Sequence, residues 1–261
     1  LIDADSAQIE ARVLAWLAEQ DDLTKAFTDG EDVYVKMASR IYNKAEEDVT
    51  KEERFVGKTT ILGAGYGMGA LKFQSQLKTF GSDMPIDEAR RVISIYRESN
   101  WKINKLWRDA QHILIGLHRN DRVMHLGRGR VLITVPEENA IRLPSGLLMR
   151  YEDLDYDQGE KGIEFHYKTR LGRNRIYGGK VIENVCQAIA RCIIGEQMLE
   201  INKKHRAVLT VHDSIVCCVK DEEVTDAQKY IEECMRWTPE WADGLPINCE
   251  SGTGKTYGDC E

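Results

Sequence analysis

The segment Ala207 to Lys220, AVLTVHDSIVCCVK, limits the fold more than any other part of this 261-residue chain. Two apolar runs rich in β-branched residues flank the polar pair His212-Asp213, which leaves room only for a tight turn. The segment is a β-hairpin. The chain opens on Leu1-Ile2-Asp3-Ala4-Asp5, which reads as a short buried strand. One sheet can therefore bring Asp5, at the end of that strand, together with Asp213 in the hairpin turn. Taken alone, Asp5 reads as a helix N-cap and Asp213 as a turn residue.

Between these points the pattern is mainly helical. Ile9, Val13, Trp16 and Leu17 fall on one helical face. DGEDVY (29–34) is a turn into a helix carrying Met37 and Ile41. Thr50-Lys51-Glu52-Glu53 is a capping box, so a further helix starts just before Val56. The stretch 87–114 reads as helical throughout. From about 122 to 170, short alternating runs broken by glycines predict strands and hairpins. Helices are expected again over 181–202 and 224–237.

The length fits one or two domains. Hydrophobic content of 42% and charged content of 30% are ordinary for a soluble globular protein. No apolar run is long enough to span a bilayer, and no signal-peptide pattern opens the chain. The first residue is Leu1 rather than Met, so the chain is expected to be a fragment. Seven cysteines, all after position 185, make no zinc-ligand spacing and fit reduced thiols in a cytosol-like compartment. A net charge of −7 speaks weakly against nucleic acid, but the charges segregate: 116–130 and 166–180 are strongly basic. Each basic run, by itself, reads as a solvated face.

Val56-Gly57-Lys58-Thr59-Thr60 ends like a phosphate-binding P-loop, yet Glu52 stands where the loop needs its first glycine. Gly254-Lys255-Thr256 fails in the same way, with Cys249 at that place. The alternative is a helix face. Arg54, Lys58, Leu62 and Tyr66 follow at intervals of four and form one stripe. Two cations near a helix start oppose the macrodipole, which suggests that they are kept for an anion. Gly57, Gly63, Gly65 and Gly67 are each worth about 1 kcal/mol less than Ala in a helix. They make sense if something bulky approaches the backbone or the helix bends.

Three of these segments together resemble family A DNA polymerases. DADSAQIEARVLA (3–15) is similar to motif A, RFVGKTTILGAGYG (54–67) to motif B and TVHDSIV (210–216) to motif C, in the family's order. EDVY and the helix of Gln187 also fit, and AQIEARVLAWLA looks like the bacteriophage branch. The resemblance covers nearly the whole chain and is weakest across about 103–175. It implies an α+β fold. A palm of antiparallel sheet and helices would come from 1–10 and 171–261. A mostly helical fingers subdomain would span 11–170, with a β-rich insertion around 122–170. The thumb and exonuclease-like domain precede motif A in the family and are expected to be absent, with poor duplex grip and processivity as the consequence.

The resemblance implies template-directed nucleotidyl transfer in DNA replication, from dNTPs to a primer, by a two-metal mechanism with two Mg²⁺. Asp5, Asp213 and the carbonyl of Ser6 would hold the metals. Lys58 would contact the α-phosphate and donate a proton to pyrophosphate, and Arg54 would reach the γ-phosphate. Tyr34 takes the place of a phosphate-contacting His. Tyr66 would pack by the nascent base pair, Leu62 takes the place of the aromatic that packs on the sugar of the dNTP, and Glu10 would block the sugar 2′ position. His212 would touch the primer terminus and Gln187 would read the minor groove of the primer-template. The implied partners are DNA, dNTPs and the missing part of the parent chain, with no membrane, in the cytoplasm of a bacterial or phage-infected cell.

Four departures stand out. Leu62 replaces an aromatic, Ser214 a Glu, Tyr34 a His and Glu183 an Asn, and Ser214 would leave the metal site less acidic. Glu10 argues against a single-subunit RNA polymerase, which shares the Arg-Lys-Tyr-Gly spacing. The intact Asp5, Asp213, Arg54 and Lys58 argue against a non-catalytic DNA-binding remnant.

Overall fold

A computed structural model describes residues 1–159 and 162–260. The chain divides into two compact units, Leu1–Val13 with Cys186–Glu261, and Leu14–Val185. No helix among the described residues is long and apolar enough to cross a membrane.

The first unit is built on a four-stranded antiparallel sheet of order β11-β1-β10-β9. Strand β1 (Ile2–Ser6) lies inside it, between β10 (Ser214–Cys217) and β11 (Cys249–Thr253), and β9 (Ala207–Val211) forms an edge. The hairpin and the opening strand thus share one sheet. The first strand alternates as a one-sided strand must: Ile2 and Ala4 are fully buried, while Asp5 is exposed. Helix α9 (Val224–Arg236) packs on β1 and β11 through Ala227, Ile231, Cys234 and Met235, an i, i+4, i+7, i+8 face. Burying side chains such as Ile231 and Met235 is worth about 1.5–3 kcal/mol each. Helix α8 (Gly178–Ile201) enters this unit from the other, and its buried Gln197 donates to the carbonyls of Met235 at 2.8 Å and Trp237 at 2.9 Å. Helix α1 (Ile9–Leu17) leaves the unit, and its Arg12, only 5% exposed, donates to the carbonyls of Ala7 at 2.7 Å and Pro246 at 3.0 Å.

The second unit holds α2 (Asp21–Thr28), α3 (Val33–Tyr42), α4 (Lys51–Ala64), α5 (Ala70–Thr79), α6 (Ile86–Ser99) and α7 (Trp101–His118). Two small antiparallel sheets follow. The first joins β2 (His125–Leu126), β3 (Leu132–Val135), β4 (Ala140–Arg142) and β5 (Leu148–Arg150). The second joins β6 (Asp155–Gly159), β7 (Gly162–Thr169) and β8 (Gly172–Ile176). Strands do fill the region around 122–170, and they run on to Ile176.

Two expectations need correction, and a third is met by a neighbouring helix. The stretch 87–114 is not one helix: Asn100, at φ −112° and ψ 50°, separates α6 from α7. Its buried side chain donates to the Tyr96 carbonyl at 3.0 Å and so competes with the helix ladder. Tyr66 lies outside α4, which stops at Ala64 before a turn ending at Gly67 with φ 83°. And the bulky body that approaches Gly57 is helix α3, because a Cβ there would stand 2.2 Å from the Tyr34 carbonyl oxygen.

Candidate functional site

In the first unit, the sheet gathers carboxylates at one end. The Cα register sets Asp5 opposite Ser214 on β10 and Glu250 on β11. The Ser6 N–H donates to the Asp213 carbonyl at 3.2 Å, tying the two predicted metal-binding positions together through their main chains. Asp213 is half-buried in the two-residue turn, and His212 before it is exposed at a left-handed φ of 53°. That conformation costs a non-glycine residue about 1–2 kcal/mol.

Asp5 is open to solvent as a residue, yet its carboxyl is pushed up to about 6. Burial of the carboxyl against the strand end is the largest cause, followed by the charges of Asp213, Asp3 and Glu250, and His212 partly offsets them. The carboxyl is thus partly desolvated and crowded by like charge, an arrangement that a cation would relieve. The donors are hard oxygens, as Mg²⁺ requires, and Mg²⁺ commonly takes only one or two carboxylates with water and substrate completing its shell. No three His, Cys, Asp or Glu side chains among the described residues form a ready-made metal cage. The side chain of Ser6 is buried, and its hydroxyl has no hydrogen-bond partner among the described residues.

In the second unit, α4 presents the cations. Its capping box forms as expected: Glu53 N–H donates to Thr50 Oγ1 at 3.2 Å, and Thr50 N–H to Glu53 Oε2 at 3.0 Å. Arg54 Nε donates to Asp32 Oδ2 at 2.7 Å. Asp32 also caps α3, with its Oδ1 accepting from the N–H groups of Tyr34 and Val35 at 3.0 Å each. Burial pushes the Asp32 carboxyl up, but the Arg54 bond, the α3 N–H groups and the Arg54 charge outweigh it and hold the group below the usual carboxylate range. The buried Tyr34 ring lies under both cations, 5.4 Å from the Arg54 guanidinium carbon and 5.9 Å from Lys58 Nζ. Arg54 engages Asp32 through Nε alone, so its guanidinium keeps further donors of the kind that match phosphate oxygens.

Leu62, 41% exposed, continues the same face. Beyond it an open cleft of about 600 Å³ is lined by Leu62, Gly63, Tyr66, Lys72, Tyr177 and Glu183, among others. Tyr66 is half-buried at its wall, and Gly179 lets the Tyr66 carbonyl approach, since a Cβ would come within 2.6 Å of that oxygen.

A model of DNA polymerase family A matches residues 1–145. The chain belongs to DNA polymerase family A. The matched span holds Asp5, Glu10, Tyr34, Arg54, Lys58, Leu62 and Tyr66, while Gln187, His212 and Asp213 follow it. The DNA polymerase of Bacillus phage SP02 is 29% identical over 259 residues, covering 95% of this chain and 39% of the phage protein. DNA polymerase I of Helicobacter pylori strain J99 is 24% identical over 235 residues, covering 90% of this chain and 22% of that protein. The chain thus spans well under half the length of either relative. Its fold matches the polymerase domain of Pol1 from M. smegmatis, solved with DNA primer-template and dNTP, at a TM-score of 0.65 and 20% identity, over 99% of this chain and 40% of that one.

The sites named from the family A motifs fall into two sets. Asp5, Ser6, Glu10, Gln187, His212 and Asp213 belong to the first unit, and Tyr34, Arg54, Lys58, Leu62 and Tyr66 to the second. Glu10 sits half-buried in the first turn of α1, and Gln187 is exposed on α8. The departures have local consequences. Ser214 donates to Asp3 Oδ1, and Asp3 and Glu250 bring to Asp5 the negative charge that Ser214 does not supply. Glu183 pairs with Lys180 at 2.6 Å. Sequence reasoning missed Asp3, Glu250 and Asp32. Asp3 was visible as the alternate residue before Asp5 on the same strand face. Glu250 was not, because β11 carries no apolar alternation.

Proposed function

We propose that this chain carries the palm and fingers of a DNA-directed DNA polymerase, which extends a primer during replication in the cytoplasm of a bacterial or phage-infected cell. The observation that carries this reading is the sheet register that brings Asp5 and Asp213 to one end of the first unit, where the Ser6 N–H donates to the Asp213 carbonyl. The primer 3′-oxygen attacks the α-phosphorus of a dNTP, the bond to the β-phosphate oxygen breaks, and pyrophosphate leaves. Two Mg²⁺, held by Asp5, Asp213 and the Ser6 carbonyl, would when bound supply charge stabilisation for the attacking and leaving oxygens.

The chain's own groups do the rest by positioning and electrostatics. Lys58 contacts the α-phosphate, and its ammonium gives a proton to the departing pyrophosphate. The fork of Arg54 grips the γ-phosphate, with Tyr34 backing both cations. Tyr66 packs beside the new base pair, and Leu62 lies at the sugar of the dNTP. Glu10 occupies the space of a ribose 2′-hydroxyl, His212 meets the primer end, and Gln187 reads the minor groove. Residues 1–10 and 171–261 serve as the palm and 11–170 as the fingers, and closure of the helix that carries Arg54 onto the nucleotide is the induced-fit step. The thumb of a longer parent chain would supply grip on the duplex.

Single-nucleotide primer extension with Mg²⁺, comparing dNTP with rNTP on the wild type and Asp213→Ala, tests the reading. Incorporation of dNTP alone is expected, with a loss of about 10³-fold or more in the variant, or about 4 kcal/mol of barrier. Equal use of rNTP would favour an RNA polymerase. No incorporation, even with the upstream parent sequence restored, would leave a DNA-binding protein without catalysis.

A further inference from the structure

In the second unit, one face of α7 serves the ends of two other helices. The Trp107 indole N–H donates to the Gly65 carbonyl at 2.9 Å, in a buried bond. Gly65 follows the last residue of α4, and its carbonyl belongs to the helix end whose acceptors lack partners within the helix. One helical turn further along α7, Gln111 Oε1 accepts from the N–H of Gly178, the first residue of α8, at 2.8 Å. That N–H has no partner within its own helix either. Residues four apart share a helix face, so Trp107 and Gln111 hold the two ends side by side.

The turn that carries Tyr66 is clamped between these ends. It begins at Gly65, which Trp107 holds, and the Gly67 N–H donates to the Ala64 carbonyl at 3.1 Å. On its other side lies the start of α8. A Cβ at Gly179 would stand 2.6 Å from the Tyr66 carbonyl oxygen, and one at Gly178 would stand 1.9 Å from the Trp107 carbonyl oxygen. Glycine is a poor helix former, yet α8 begins with two. Each makes room for a backbone approach on which the clamp depends. Tyr66 then faces the open cleft that Leu62, Tyr177 and Glu183 also line.

We propose that Trp107 is a positioning residue that fixes Tyr66 against the nascent base pair and so sets the discrimination between a matched and a mismatched dNTP. The side chain of Tyr66 meets the base pair, but its place is set through the main chain. The indole N–H holds the residue before it, and Gly179 bears on its own carbonyl. Without the indole donor, the buried Gly65 carbonyl loses its tie to α7 and the turn is free to shift. A mismatched pair differs in shape from a matched one, and a turn that shifts accepts it more readily. The inference rests on the reading of Tyr66 given above.

The test is kcat/KM of the full chain for one matched and one mismatched dNTP on the same primer-template. Trp107→Phe keeps a ring in the site and removes the N–H. The mismatched-to-matched ratio is expected to rise about tenfold, a fraction of the roughly 100-fold that a 1 Å misplacement can cost. A misfolded fraction lowers both values alike and leaves their ratio unchanged, so a merely structural role would not move it. Should Trp107→Phe fail to fold, Trp107→β-(3-benzothienyl)alanine keeps the whole bicyclic ring, lacks only the donor, and should raise the ratio equally. An unchanged ratio in the folded variant overturns the proposal. On a Tyr66→Ala background, Trp107→Phe should raise the ratio no further, because its effect runs through Tyr66. A full additional rise there also overturns the proposal. Tyr66→Ala alone separates the two readings. If it leaves the ratio unchanged, the reading of Tyr66 fails. If it raises the ratio while the Trp107 variants do not, the role of Trp107 alone fails. No incorporation by the wild type, even with the upstream parent sequence restored, overturns both.

Discussion

The carboxylate end of the first unit and the cation face of the second are prepared for their ligands in opposite ways. Around Asp5 the nearby charges are mostly of one sign, and the carboxyl is pushed up to about 6 because it is shielded from water and crowded. Around Arg54 each charge has a companion: Asp32 accepts from Nε at 2.7 Å, and the Tyr34 ring lies under Arg54 and Lys58. The first arrangement is unfavourable until a cation arrives. The second is already half satisfied and keeps a fork of donors for an anion. A carboxylate cluster meant for Mg²⁺ must hold its charges together without a neutralising lysine or arginine, since such a group would compete with the metal. A phosphate site has no such restriction, because an arginine can use one edge for a carboxylate and the other for phosphate.

The largest effect that sharpens this contrast is expected from the cations. Lys58→Ala should lower kcat for single-nucleotide incorporation by about 10²-fold, as expected for a lost transition-state contact and proton donor worth about 2.7 kcal/mol. Arg54→Ala should act mainly on KM for dNTP, raising it by about tenfold or more, since the proposed γ-phosphate contact would be made in ground and transition states alike. Single-turnover kinetics on both variants read the split. If Arg54→Ala lowers kcat and spares KM, the division of labour on α4 is wrong.

A smaller effect tests whether Asp32 aids or merely accompanies Arg54. Asp32→Asn keeps the α3 cap, because Asn caps a helix about as well as Asp. It removes the charge that orients Arg54 through Nε. KM for dNTP should rise by about threefold, or roughly 0.7 kcal/mol, in line with a partly exposed pair. The melting temperature should hardly change. A fall in KM would mean that Asp32 competes with the triphosphate, and that the cation face is restrained by its partner.

The contrast was only half legible in the sequence, for physical reasons. The hairpin and β1 were readable because short apolar runs mark strands, and the turn pair His212-Asp213 separated the two runs of the hairpin cleanly. The start of α4 was readable from its capping box. What escaped depends on partners distant in sequence. β11, CESGT, has no alternation of its own and is a strand because β1 pairs with it. Glu250 therefore could not be placed beside Asp5. The apolar period runs on through Asn100, so the break between α6 and α7 depends on a buried amide bound to the Tyr96 carbonyl. The four-residue stripe put Tyr66 on the helix with Arg54, but the turn from Gly65 to Gly67 ends that helix first. Asp32 was visible as the residue that caps α3, and nothing in its spacing tied it to Arg54 twenty-two positions later.

The smallest expected effect reports directly on the crowding at Asp5. An aspartate in an unfolded chain titrates near 3.8, and in the folded protein this one titrates near 6. Well below pH 3.8 the group is protonated in both states and its titration costs the fold nothing. As pH rises through this interval the unfolded state loses the proton first, so the folded state is progressively disfavoured, and above pH 6 the whole penalty applies. Asp5 is exposed, and solvent screening should reduce that penalty to about 1 kcal/mol. For a chain of this size that corresponds to roughly 2–4 °C in Tm. Asp5→Asn keeps the shape and any capping role of the side chain. It should therefore melt a few degrees above the wild type at pH 7, with most of that gap gone at pH 4. Mg²⁺ at pH 7 should raise the Tm of the wild type and have much less effect on the variant, because the cation relieves a repulsion that Asn never has. A variant that gains nothing at pH 7 would mean that Asp3, Asp213 and Glu250 do not crowd Asp5 in the folded protein, and the carboxylate end would then be no more strained than the cation face.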